Sequence, residues 1–294
     1  MPVLLKVLSV VFPVFCVIGL GYLFARFKKI SLEPVIEILL YLTIPALVIS
    51  SLSRKKLVLD DLALVAGGAV LVVMGTGLIS SVFLAAIKRR NLRGFYLSTM
   101  FMNSGNMALP LALLAFGDDG LTVAILYYIA ISLLVYSAGI YIAKGRSGGF
   151  SEMFKLPLIY ASVFGIALNL AGVKLPSPLL TTFDMLGAAT IPLMQVGLGY
   201  RLHSARFSHT GISLAGSVIR IGGGVLTAWL VVTLLGIEGL DRKIILLSSA
   251  MPAAVISFVV SHRYKIDSEL VASTVAMSTL LSIITTPIVL MWIM

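Results

Sequence analysis

Eight residues carry most of the chemistry this chain could perform away from water: Asn103, Gly105, Asn106, Pro110, Tyr136, Arg220, Ser249 and Pro252. The first four lie in the run Asn103-Ser-Gly-Asn-Met-Ala-Leu-Pro110, and two more in Ser248-Ser-Ala-Met-Pro252. Asparagine side chains offer both donors and acceptors. Proline removes a backbone donor and its ring clashes with the preceding turn, and Gly105 adds looseness, so the backbone is expected to unwind around Pro110 and again around Pro252. Unwound backbone in a bilayer survives only where it lines a cavity or is buried in protein. Two helix halves restarting at such breaks would present free N–H groups and about half a positive charge each, which suits an anion. A proline near the first position of each second half costs little, because that nitrogen lacks an intrahelical partner anyway. The plainer reading of both segments is a packing kink with amides tying helices together.

Arg220 lies about ten residues into an apolar stretch, or about 15 Å at 1.5 Å per residue, which puts it near a bilayer centre. An arginine there is costly and calls for a partner. A substrate carboxylate is one, and Asp184 is a structural alternative. Tyr127, Tyr128, Tyr136 and Tyr141 form a group on one segment that reads as packing or interface anchoring, with Tyr136 the deepest candidate for contact with a ligand. Gln195 reads as an interhelical hydrogen bond, and His203, His209 and His262 fall at a rim, where they are solvated.

The elements that must position these residues follow from composition. Of 294 residues 59% are hydrophobic and 12% charged, about half the charged share of soluble chains, which excludes a soluble domain. Apolar windows fall at about 5–25, 34–53, 61–87, 94–116, 120–143, 155–173, 177–200, 210–235, 243–262 and 268–293, and each is long enough to be a membrane helix. The expected architecture is therefore all-α and integral to the membrane, with ten transmembrane helices. Spans four and nine are broken and cross near the midplane. The apolar run at the N-terminus is longer than a signal peptide's and no small-residue cleavage site follows, so it reads as a retained first span.

The two halves resemble each other. Thr43-Ile-Pro45 in span two matches Thr190-Ile-Pro192 in span seven. Pro13 with Gly19 and Gly21 in span one matches Pro157 with Gly165 in span six. Spans three and eight are glycine-rich, and spans four and nine carry the prolines. Residues 1–143 and 155–294 thus read as two five-helix repeats joined by a short cytoplasmic linker, 144–154. Five is odd, so the second repeat must be inverted. The basic residues agree by position. Arg26, Lys28, Lys29, Lys88, Arg89, Arg90, Arg93, Lys144, Arg146, Lys155, Arg201, Arg206, Arg263 and Lys265 collect on one side, against Lys6, Arg54, Lys55, Lys56, Lys174, Arg242 and Lys243 on the other. The richer side is expected to be cytoplasmic, with both termini outside.

Inverted repeats with discontinuous helices are a construction of secondary transporters, with substrate at the midplane between the repeats. The net charge of +10 comes from dispersed loop residues, an orientation signal that does not imply nucleic acid. The single cysteine, Cys16, excludes an intrachain disulfide and a CxxC metal framework. Two rivals stand beside the transporter. Asp60-Asp61 and Asp118-Asp119 resemble the magnesium-holding acids of prenyl-transfer enzymes, but they belong to outward loops and have no further acids behind them. A drug/metabolite-type exporter also has ten helices in inverted halves, but gives no reason for the prolines of spans four and nine.

The segment Asn103 to Leu111, followed by Phe116-Gly117, resembles the fourth-helix motif of the auxin efflux carrier family. Ser249-Ala-Met-Pro-Ala-Ala through Phe258 and His262-Arg-Tyr264 to Ser273 and Thr274 resembles that family's C-terminal region, and Thr190-Ile-Pro192 with Gly197 also fits. The resemblance covers essentially the whole chain. It implies the fold shared with bile acid:sodium symporters, with a scaffold of spans one, two, six and seven and a mobile bundle of the other six. It further implies elevator-type transport and a homodimer through spans two and seven, of the compact bacterial type in the plasma (bacterial inner) membrane; the facing helix ends make the expected cargo a small organic anion, a carboxylate. By match of motif it assigns substrate contact to Asn103, Pro110, Pro252 and Tyr136. No cofactor is implied. The sodium-binding acid of the bile acid symporters has no counterpart between Ser248 and Ile256, which argues against sodium coupling.

Overall fold

A computed structural model describes residues 3–54, 59–145, 150–205 and 207–294. Lys55, Lys56, Arg146 and Arg206, counted above for orientation, and the linker residues 146–149 lie outside the described residues. The described chain is helical throughout and forms no β-strand. Its helices are α1 (Val3–Phe27), α2 (Glu33–Arg54), α3 (Leu59–Ala86), α4 (Arg93–Met100), α5 (Ser104–Lys144), α6 (Phe150–Met153), α7 (Pro157–Leu170), α8 (Ser177–His203), α9 (Thr210–Leu234), α10 (Gly239–Ser249), α11 (Val255–Arg263) and α12 (Ser268–Ile293). Seven of them, α1, α2, α3, α5, α8, α9 and α12, are long and apolar enough to cross a membrane.

Helix boundaries follow local chemistry. Pro157 opens α7 and Pro178 opens α8, where a missing N–H is harmless. Helix α5 is two helices joined at Gly117, whose φ of +70° and ψ of −161° no other residue adopts cheaply. The chain reverses so tightly there that a Cβ on Gly120 would lie 2.5 Å from that of Phe116. The N-terminus of α4 is capped from far along the chain, since Gly94 donates its N–H to Asp267 at 2.9 Å.

Two packed groups result. Helices α1, α2, α7 and α8 lie against one another. Helices α3, α4, α9, α10, α11 and α12 form the second group with α5. In the first group α1 and α8 approach until backbones touch. A Cβ on Gly199 would fall 1.9 Å from the Ile18 carbonyl oxygen, and one on Gly21 2.3 Å from that of Val196. Such close approach is how membrane helices gain contact without a hydrophobic drive between them.

Among the described residues three helices contain π-helical turns, four in all: Leu39–Thr43 in α2, Ser104–Ala108 and Val135–Gly139 in α5, and Ile219–Gly223 in α9. π-turns widen a helix locally, leave carbonyls free and recur at functional sites.

The α1–α8 contact yields a test. Gly199→Ala should destabilise the protein by about 1–3 kcal/mol through overpacking. Gly19→Ala, where a Cβ meets nothing within 4 Å, should be neutral. Thermal unfolding in detergent measures both, and equal midpoints would contradict the backbone contact.

Candidate functional site

Between α4 and α5 the chain leaves the helix at residues 101–103, with Phe101 extended, and between α10 and α11 it is unwound over residues 250–254. These two segments cross as an isolated antiparallel bridge at Met102 and Ala253. The Asn103 N–H donates to the Pro252 carbonyl at 2.7 Å, and the Ala254 N–H to the Phe101 carbonyl at 2.9 Å. The Ala253 N–H is taken by the Ser278 hydroxyl of α12 at 3.0 Å, and the Ser257 hydroxyl donates to the Leu97 carbonyl at 2.8 Å. Backbone that left both helices is thereby satisfied inside the protein.

The break in span four falls seven residues before Pro110, not at it. Pro110 opens the regular α-helix that follows the Ser104–Ala108 π-turn. Its ring cannot accept the normal approach of the preceding turn, and widening that turn relieves the clash. In span nine the expected position holds, with Pro252 inside the unwound segment.

Asn103 is the N-cap of the second half of span four. Its Oδ1 accepts the Asn106 N–H at 3.2 Å, while its Nδ2 is buried without a hydrogen-bond partner among the described residues. Asn103 is among the residues that line a cavity of about 300 Å³. Ser104, Gly105 and Asn106 line it from α5, Ala254, Val255 and Ile256 from the start of α11, and Tyr128, Ser132 and Tyr136 from the later part of α5. The opposite wall comes from the other packed group, through Leu39, Leu40 and Ile44 of α2, Pro157 of α7 and Met194 and Arg201 of α8. Gly105 lies against that wall, since a Cβ there would be 2.7 Å from Met194 Cε. Three of the four π-turns contribute lining residues.

Of the eight residues expected at a site, Asn103, Gly105, Asn106 and Tyr136 line the cavity. Pro110, Arg220, Ser249 and Pro252 stand behind it. Arg220 is fully buried, does not line the cavity and does not pair with Asp184. Its guanidinium donates through Nη1 to the Thr99 carbonyl and through Nη2 to the Ser249 carbonyl at 3.0 Å. Asp184 is taken up within the first packed group, by Arg54 at 2.5 Å and by the Ser50 hydroxyl. The charged side chain that does line the cavity is Arg201, near the end of α8, which sequence reasoning counted only among the loop cations. No sequence signal marked it out, since only the structure shows that Met194, Gly197 and Leu198 of the same helix line the cavity with it.

Tyr127, expected to be packing, is the most buried tyrosine of its group, at 0% exposure against 55% for Tyr141. Its hydroxyl lies 2.8 Å from the Ser249 Oγ, joining α5 to the end of α10. Tyr136, expected to be deepest, is only partly buried.

Residues 150–290 match the family described as membrane transport protein. An uncharacterized transporter of Methanocaldococcus jannaschii is 32% identical over 208 residues, covering 67% of this chain and 67% of that protein. The chain belongs to this transporter family. An uncharacterized transporter of Methanothermobacter thermautotrophicus is 28% identical over 268 residues, 86% of each chain. The protein is accordingly a multi-pass membrane transporter of the auxin efflux carrier type and not an enzyme, which removes the prenyl-transfer reading of the aspartate pairs.

Tyr127→Phe should cost about 1 kcal/mol, because it removes the buried hydrogen bond to Ser249 and a weak one to the Met102 sulfur while keeping the ring. Chemical unfolding of the detergent-solubilised protein measures this, and an unchanged midpoint would show that the bond to Ser249 carries no weight.

Proposed function

We propose that this transporter carries a small organic anion, a carboxylate, by elevator-type alternating access, with the cavity at the crossing of spans four and nine as its substrate site. One observation carries this reading: two helix halves restart at the same cavity, beside a buried Asn103 amide that lacks an acceptor. Each restarting half has N–H groups without intrahelical partners and about half a positive charge. Arg201 adds a full positive charge to a wall that is otherwise largely apolar. A ligand with an acidic head and an apolar body meets all of these features. A cation would meet none.

The wider construction belongs to the same proposal. Ten spans in two inverted halves, 1–143 and 155–294, would place α1, α2, α7 and α8 as the fixed scaffold. The helices of the second packed group would form the moving bundle. The cavity lies between the two, where sliding would expose it alternately. Leu32, Leu156 and Arg201, which line it, all sit at helix ends on the side richer in basic residues. With that side cytoplasmic and both termini outside, the conformation is inward-facing. The scaffold face of spans two and seven would form a homodimer in the plasma membrane. Sodium is not required in this reading.

A thermal-shift screen against acetate, succinate, benzoate and indole-3-acetate should find at least one stabilising carboxylate, whose radiolabelled form then enters proteoliposomes containing the protein. Asn103→Ala and Arg201→Ala should each lower that uptake about tenfold or more, as expected on losing a charge-assisted contact, with the unfolding midpoint kept. If no carboxylate stabilises the protein while amines or sugars do, the anion reading is wrong.

A further inference from the structure

The cavity uses only the amino ends of the two broken helices. Their first halves end the opposite way, and α4 and α10 bring two carboxyl ends together behind the crossing. Each such end carries about half a negative charge on carbonyls without intrahelical partners. In transporters built from discontinuous helices, half-helix carboxyl ends and unwound carbonyls are where coupling cations bind. Here a side chain is already there. The Arg220 guanidinium spans the gap, one nitrogen on the Thr99 carbonyl in the last turn of α4 and the other on the Ser249 carbonyl at the end of α10.

Four further observations show that this place is built for a guanidinium. Arg220 is fully buried, and among the described residues no acidic side chain pairs with it, so helix ends supply its counter-charge. It projects from the π-turn Ile219–Gly223 of α9. One turn on, Gly224 leaves the space it fills, since a Cβ there would lie 2.2 Å from Arg220 Nη2 and 2.2 Å from the Ser249 oxygen. The matching span of the first half, α3, contains no basic residue, so one arginine serves both ends.

We propose that Arg220 is a tethered counter-cation, a positioning residue that occupies permanently the place between the half-helix carboxyl ends where a soluble cation would otherwise bind. The crossing then keeps its shape whether or not substrate is present, and neither Na⁺ nor K⁺ is needed there. Because α9 packs with α3, α10 and α12, the charge travels with the helix ends it neutralises. The inference does not depend on which anion is carried.

Thermal unfolding of the full-length protein in detergent tests it without a substrate. For the unaltered protein, NaCl, KCl and choline chloride at equal ionic strength should give midpoints within about 1 °C, whereas a rise of several degrees specific to Na⁺ or K⁺ would overturn the proposal. Arg220→Gln should lower the midpoint by at least about 5 °C, and Arg220→Lys should recover part of that loss by restoring charge without the fork. Methylguanidinium at millimolar concentration should raise the midpoint of Arg220→Ala, and N-methylurea, of similar shape but neutral, should not. Equal behaviour of the Gln and Lys variants, or of the two additives, would show that the group fills space and its charge is immaterial. If the Gln and Ala variants fail to fold, the Lys variant and the salt series still decide the matter. Saturable binding of ²²Na⁺ to the unaltered protein that is lost on adding Ser249→Pro, which distorts that helix end, would likewise overturn it.

Discussion

Backbone that leaves a helix inside a bilayer must find its hydrogen bonds within the protein, because hydrocarbon offers none and each unpaired group costs several kcal/mol. The arrangement around residues 101–103 and 250–254 answers that constraint. Each non-helical segment supplies what the other lacks, through the bonds from Asn103 to Pro252 and from Ala254 to Phe101. Serines from neighbouring helices take part of the remainder, with Ser278 accepting the Ala253 N–H and Ser257 donating to the Leu97 carbonyl. The two breaks are thus satisfied together, each through the other's backbone and through serines of neighbouring helices.

The crossing also sorts charge by direction. Amino ends face the cavity with Asn103, Asn106 and Arg201, and carboxyl ends face Arg220. A single guanidinium behind and a ligand anion in front would neutralise four helix ends of about half a charge each. The polarity of the site is thus largely a property of backbone direction, and side chains adjust it. This accounts for the thin polar lining of the cavity, since apart from Arg201 much of its positive character comes from peptide N–H groups that composition does not reveal.

Much of the fold was legible. Hydrophobic windows located the helices because a bilayer demands long apolar runs, and Gly117 falls between the windows expected for spans four and five. The site was legible in part. Asn103, Gly105 and Asn106 stood out as polar or flexible residues in apolar surroundings, and they line the cavity. The prolines misled by a turn or two. Pro252 sits in its break, but Pro110 acts through the π-turn before it, so the non-helical residues lie at 101–103. A proline states that some preceding turn must yield; neighbours decide which one.

Arg220 and Arg201 show where sequence reading stops. Depth along a helix identified Arg220 as buried and in need of partners, and both facts hold in the structure. Depth could not say that the partners are carbonyls of two other helices, because residues 99, 220 and 249 meet only through packing. Nor could it show that Arg201, ordinary by position, leans along α8 over the cavity. The sequence by itself determined a membrane-embedded helical chain with two polar interruptions and one deep cation. Only the tertiary structure decided which arginine faces the cavity and which holds the crossing together, because helix ends and the side chains that meet them come from separate elements.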